Sequence, residues 1–196
     1  TVASVNWVGE GKPKPLGRGT LDTVTLGKTK IAGIVPLTDE LVRFSNPSVE
    51  AMVRDQLAGA IVQLMDHDFL DPEKALVADV SPASISNGVT GVSATGTAYA
   101  NVAADVGSAL ANFDAARIDT SDLVVVMNSR QARALSLMLN SLGQRLFPDL
   151  TITGGTFLGY PVVVSGNVDY TEDSPAEGDS IFFIKPSDIL LADDGG

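Results

Sequence analysis

Residues 46–70 read NPSVEAMVRDQLAGAIVQLMDHDFL, and this stretch decides the fold class. Val49, Met52, Val53, Leu57, Ala60, Ile61, Leu64, Met65 and Phe69 recur at helical spacing on one wide face. Asn46 is a favourable N-cap, and Pro47 suits the first helical position because its missing N–H would find no partner there. Pro72 ends the run. About 23 residues rising 1.5 Å each give a helix of roughly 34 Å, longer than average. Such an element is a spine on which others pack.

Upstream, helical periodicity is missing. The runs Lys12-Pro13-Lys14-Pro15 and Gly17-Arg18-Gly19 prevent a helix. Residues 20–26 (TLDTVTL) and 30–37 (KIAGIVPL) read as two strands turning at Gly27-Lys28, a long hairpin. It has few large apolar residues, and a two-stranded ribbon is marginal alone, so it must lean on the body or on a neighbour.

Downstream, residues 79–97 form a Ser/Gly/Thr-rich loop. A helix is predicted over about 98–113, with Val102, Val106, Leu110 and Phe113 on one side. Residues 123–127 (LVVVM) read as a buried strand. A third helix is predicted after Asn128, carrying Leu135, Leu137, Met138, Leu139 and Leu142 and stopped by Gly143. Residues 160–165, 180–184 and 189–192 read as strands. Helices and strands mixed around one long helix make the class α+β.

The 196 residues suffice for one ordinary domain, or two small ones sharing a core. With 44% apolar and 19% charged residues, intrinsic disorder is excluded. Without cysteine there are no disulfides, thiolate metal sites or cysteine nucleophiles. The single histidine, His67, rules out a multi-histidine metal site. A net charge of −11 disfavours general binding to phosphate backbones or anionic lipid. No apolar run reaches a membrane span, and residues 1–11 lack the basic head and apolar core of a secretory signal. The charge is uneven. Residues 1–54 hold seven basic and five acidic residues, against six and 19 in the remainder. A mildly basic arm on an acidic body favours a contact between the arm and a neighbouring body.

Catalytic motifs are missing: the chain has no phosphate-binding loop, dinucleotide fingerprint, nucleophile elbow or zinc-protease helix. The glycines at 88, 91 and 96 have no nearby lysine to neutralise phosphate, so they read as a flexible loop. Asp66, His67 and Asp68 are adjacent on a helix and point in different directions, which prevents convergence on one ion. The acidic run 169–179 lacks the alternating ligand spacing of a calcium loop. No catalytic, cofactor or metal residues are therefore assigned. Trp7 reads equally well as an anchor for a partner and as a residue packed on its own body.

Several phrases together carry a resemblance. Residues 6–11 (NWVGEG) are similar to the opening phrase of the major capsid proteins of tailed bacteriophages. Residues 30–41 (KIAGIVPLTDEL) resemble that family's Lys-hydrophobic-Ala stretch with its later Ser/Thr-x-Glu-Leu. The 46–70 helix sits where the family has its spine helix and ends in a matching Phe69-Leu70. Residues 124–130 (VVVMNSR), 143–147 (GQRLF) and 158–163 (LGYPVV) are like three further family phrases, in order.

The resemblance implies a Hong Kong 97-like phage capsid fold: E-loop hairpin, P-domain spine helix and A-domain. Residues 1–37 would be the E-loop with its lead-in and 38–78 the spine helix of a partial P-domain. A flexible loop would cover 79–98, and the A-domain with the start of the return to the P-domain would cover 99–196. It also implies a non-enzymatic, self-assembling shell subunit of a phage or prophage virion, assembled in the bacterial cytoplasm. Its partners would be other copies of itself, around genomic DNA that is enclosed but not bound by sequence, with no cofactor and no membrane. Trp7, Lys12, Lys14, Arg18, Lys28 and Lys30 are then the expected inter-subunit contacts of the E-loop. Family members have an arm before the Trp phrase and P-domain strands after the A-domain. The expected fold is thus truncated at both ends, and this chain a monomer or small oligomer rather than a closed shell. An encapsulin-like compartment shell and, further off, a hydrolase using two carboxylates are the alternatives.

Overall fold

The computed structural model describes residues 8, 10, 27, 29–38, 40, 48–140, 142–168 and 180–191. Helix α1 (Ser48–Leu70) is the long helix the spacing predicts. Asn46 and Pro47, its expected cap and first residue, lie outside the described residues. The chain seals the C-terminal end of α1 by doubling back. Ser86 Oγ donates to the Leu70 carbonyl at 2.7 Å, and Ile85 N–H donates to the Phe69 carbonyl at 3.1 Å. Asn87 Nδ2 adds a bond to the Pro72 carbonyl. Carbonyls that a helix end leaves orphaned thereby find donors, and Ser84 and Ser86 can be buried because their hydroxyls bond each other.

Helix α2 (Tyr99–Ala115) leads to β1 (Val124–Met127), followed by α3 (Ser129–Ser136), β2 (Leu150–Thr151), β3 (Gly154–Phe157), β4 (Tyr160–Val164), β5 (Ile181–Ile184) and a 3₁₀ turn (Pro186–Asp188). The strands form one sheet in the order β2-β3-β4-β1-β5. Strand β1 runs parallel to β4, with Val125 opposite Val162, and antiparallel to β5, with Val125 opposite Phe183. Its β-branched run favours a pleated, buried position. Val125 and Met127 point inward, and Val124 and Val126 are half-buried. Parallel pairing demands a long crossover, here supplied by α3, the loop after it, β2 and β3.

The core gathers Val106 of α2, Val125 and Met127, Ala132 and Leu135 of α3, Phe147, Leu150, Phe157 and Val162. Phe147 is its hub, with ring centroids 4.9 Å from Phe157 and 6.4 Å from Tyr99.

Asn128 joins β1 to α3 and works in two directions. Its Oδ1 accepts from the Arg130 N–H at 3.0 Å as the N-cap, and its Nδ2 donates to the Val168 carbonyl at 2.9 Å. Asn128→Ala removes both bonds and is expected to cost about 1–2 kcal/mol. Chemical denaturation would register this as a lower midpoint at unchanged slope, and an unshifted midpoint would show the cap to be dispensable.

Three expectations need correction. The third helix stops at Ser136 instead of running to Gly143. Residues 137–140 alternate outward and inward, with Leu137 and Leu139 exposed and Met138 against the core, which is strand-like spacing. Asn140 then builds a turn: its Oδ1 accepts from the N–H groups of Leu142 and Gln144, and Gly143 takes φ +77°. Side-chain bonds of this kind compete with helix, and Leu139 instead bridges Arg145. Second, residues 30–37 carry no strand assignment. Third, residues 189–191 follow the 3₁₀ turn without forming a strand, and Ile189 N–H closes onto the Pro186 carbonyl.

Candidate functional site

Of the six residues expected at an inter-subunit contact, Trp7, Lys12, Lys14, Arg18 and Lys28 lie outside the described residues. Lys30 is described and exposed, on a segment whose Ile31, Ile34, Val35 and Leu37 are also exposed. This segment approaches α1 closely. A Cβ on Gly33 would come within 2.8 Å of Leu57 Cδ1. A side chain there would displace the tip of the Leu57 side chain, midway along the helix.

The apolar face of α1 is only partly covered among the described residues. Val53, Leu57 and Ile61 are half-buried and Leu70 is buried, but Met52 and Met65 are each 53% exposed, and Leu64 and Phe69 are also open. Met52, Leu64, Met65 and Phe69 are thus apolar surface left open on this helix.

The C-terminal end of α1 is tied to the sheet by polar contacts. Asp66 Oδ2 accepts from Asn167 Nδ2 at 2.9 Å, across 101 positions of sequence. Lys74 Nζ sits 2.8 Å from Asp68 Oδ2, with both side chains largely covered. His67 is half-buried, its Nδ1 3.6 Å from Asp68 Oδ1. Asp66 thus pairs with Asn167, while Asp68 lies between Lys74 and His67. No group of three His, Asp or Glu side chains among the described residues could hold a metal.

A second polar cluster lies before β1 and after β5. Ser187 Oγ donates to Asp122 Oδ2 at 2.7 Å, and Lys185 Nζ reaches Asp122 Oδ1 at 4.0 Å. Beside it, Ser121 donates to Asp119 through both its hydroxyl and its N–H, holding that carboxyl below its ordinary value of 3.8. A carboxyl lowered on folding stabilises the fold above its unfolded pKa, and the contribution is lost as pH falls below that range. These bonds fasten two chain segments and form no enclosed cleft.

The spacing pointed to β4 but not to β3 or to the short β2 beside it. These strands are short, and Gly154-Gly155 hides their alternation. The two-residue loop Leu158-Gly159 joins β3 to β4. Around it lies an open hollow of about 170 Å³ lined by Leu146, Phe147, Pro148, Asp149, Thr156, Leu158 and Gly159. Small-molecule sites are usually larger, about 300 Å³ and above.

The sequence profile of the phage capsid family matches residues 1–196. A protein of Pseudomonas phage PAJU2 named "Capsid polyprotein" is 44% identical over 190 residues, covering 97% of this chain and 28% of its own length. The chain thus spans just over a quarter of that relative. A solved structure from Gordonia phage Cozz aligns with TM-score 0.45 and 14% identity, covering 77% of this chain and 54% of the other. No helix among the described residues is long and apolar enough to cross a membrane.

Proposed function

The chain belongs to the phage capsid family, and from that membership we propose that it is a structural subunit of an icosahedral phage or prophage shell. It self-assembles into capsomers and encloses genomic DNA without reading its sequence. The observation that carries this reading is the family match over the whole chain, joined to a capsid polyprotein relative at 44% identity. The exposed apolar face of α1 supports it physically, because a shell subunit buries such faces between identical neighbours.

The same reading assigns α1 to the P-domain spine, residues 1–37 to the E-loop with its lead-in, and residues 99–184 to the A-domain. Assembly takes place in the bacterial cytoplasm and the product resides in the virion. Trp7, Lys12, Lys14, Arg18, Lys28 and Lys30 contact the adjacent subunit. At the exposed Lys30, charge attraction to an acidic neighbour is worth about 1 kcal/mol or less. The subunit acts by burying surface and turns over no substrate. Electron microscopy of the full-length gene product tests the reading, as set out at the end of the Discussion.

A further inference from the structure

The turn that closes the C-terminal end of α1 carries the dipeptide Asn87-Gly88, and no other asparagine of the chain precedes a glycine. Asparagine is a chemically labile residue. Its side-chain carbonyl carbon can reach the backbone nitrogen of the next residue, and attack there closes a succinimide ring. The side chain of that next residue normally obstructs the approach. Glycine, without a Cβ, does not.

The fold leaves this site open. Asn87, Gly88 and Val89 are all exposed. Gly88 has φ +76°, and a Cβ placed on it would meet nothing within 4 Å. Among the described residues, no acceptor takes the Gly88 N–H and no donor reaches Asn87 Oδ1. The attacking nitrogen and the attacked carbonyl are thus unengaged. Other asparagines are held differently. Asn128 uses both ends of its amide, Asn140 Oδ1 accepts two N–H groups, and Asn167 is tied to Asp66.

The bond that the Asn87 side chain does make is the one such a reaction removes. Its Nδ2 donates to the Pro72 carbonyl at 3.0 Å. This bond belongs to the strap in which Ile85 N–H donates to the Phe69 carbonyl, Ser86 Oγ to the Leu70 carbonyl and Ser84 N–H to the Lys74 carbonyl.

We propose that Asn87 is a site of self-modification, converted to aspartate and isoaspartate through a succinimide formed with Gly88. The Gly88 nitrogen gives its proton to solvent base and bonds to Asn87 Cγ. The Cγ–Nδ2 bond breaks, and Nδ2 leaves as ammonia with a proton from water. Water then opens the ring. Attack at Cγ gives aspartate. Attack at the Asn87 backbone carbonyl carbon gives isoaspartate, in which the chain runs through Cβ and Cγ. Nothing is oxidised or reduced, and water is the co-reactant. Either product carries a carboxylate where the amide N–H had been. The Pro72 carbonyl loses its donor and faces a negative charge, so the strap on α1 loosens. The proposal does not depend on the shell-subunit reading.

The test incubates the purified, folded full-length gene product at mildly alkaline pH and maps its asparagines by peptide mass spectrometry. A protein isoaspartyl methyltransferase is the probe for isoaspartate. Conversion at Asn87 is expected to lead that at every other asparagine of residues 1–196, and Gly88→Ala to slow it about tenfold or more. Asn87→Asp reproduces one product and is expected to lower hydrogen-exchange protection in the last turn of α1 about two- to fivefold. An Asn87 that keeps its amide while Asn140 or Asn167 converts would overturn the proposal, and the wild type alone decides this. Equal conversion in Gly88→Ala would refute the succinimide route. Unchanged protection in Asn87→Asp would refute the loosening of the strap.

Discussion

Phe157→Ala is expected to destabilise the protein by about 3–5 kcal/mol. Phe157 has no solvent exposure, and its ring packs 4.9 Å from that of Phe147 at 49°. It closes β3 opposite Tyr160, at the end of the hairpin that joins β2 to the rest of the sheet. Truncation removes apolar burial and leaves a cavity that the rigid strands around it cannot fill. Domains of this size are stable by about 5–15 kcal/mol, so the variant loses a large share of its margin. Leu137→Ala is the matched control, because Leu137 is exposed and should change stability by no more than about 0.5 kcal/mol. Equal losses for the two variants in denaturant titrations would mean that the Phe147–Phe157 cluster is not the core.

The second large effect is expected at Gly155. This residue sits mid-strand in β3, paired with Leu150 on one side and Val162 on the other. Its φ is +124°, and a Cβ there would press directly into the Asp149 carbonyl oxygen. That carbonyl cannot retreat freely, since it accepts the Thr156 N–H at 3.1 Å. Gly155→Ala therefore combines backbone strain of about 1–3 kcal/mol with overpacking of about 1–3 kcal/mol, for a loss of about 2–6 kcal/mol. Hydrogen exchange should localise the damage: β2 and β3 lose protection first, while β1 and β5 keep theirs. Uniform loss across the sheet would contradict the placement of Gly155 between two strands.

These two residues mark where the sequence was legible and where it was not. The long helix could be read because nine apolar residues keep one period across it and Pro72 stops it. Strand β1 could be read because a run of β-branched residues tolerates burial on both faces. The β2–β3–β4 hairpins were only half visible. Gly154 and Gly155 carry no side chain to show alternation, and the pairing depends on distant Leu150 and Val162. The region after α3 misled for the opposite reason. Leu137, Met138, Leu139 and Leu142 look like a helix continuing, but Asn140 supplies side-chain bonds that end it. The expected E-loop contact residues were named only through resemblance, and five of the six lie outside the described residues.

The central claim, a self-assembling shell subunit, is tested most directly by expressing the full-length gene product and imaging it by electron microscopy, with light scattering on the same sample. The account predicts closed icosahedral shells of uniform diameter and a mass in the megadalton range. Discrete monomers or small oligomers under every assembly condition, with no shells on the grid, would contradict it.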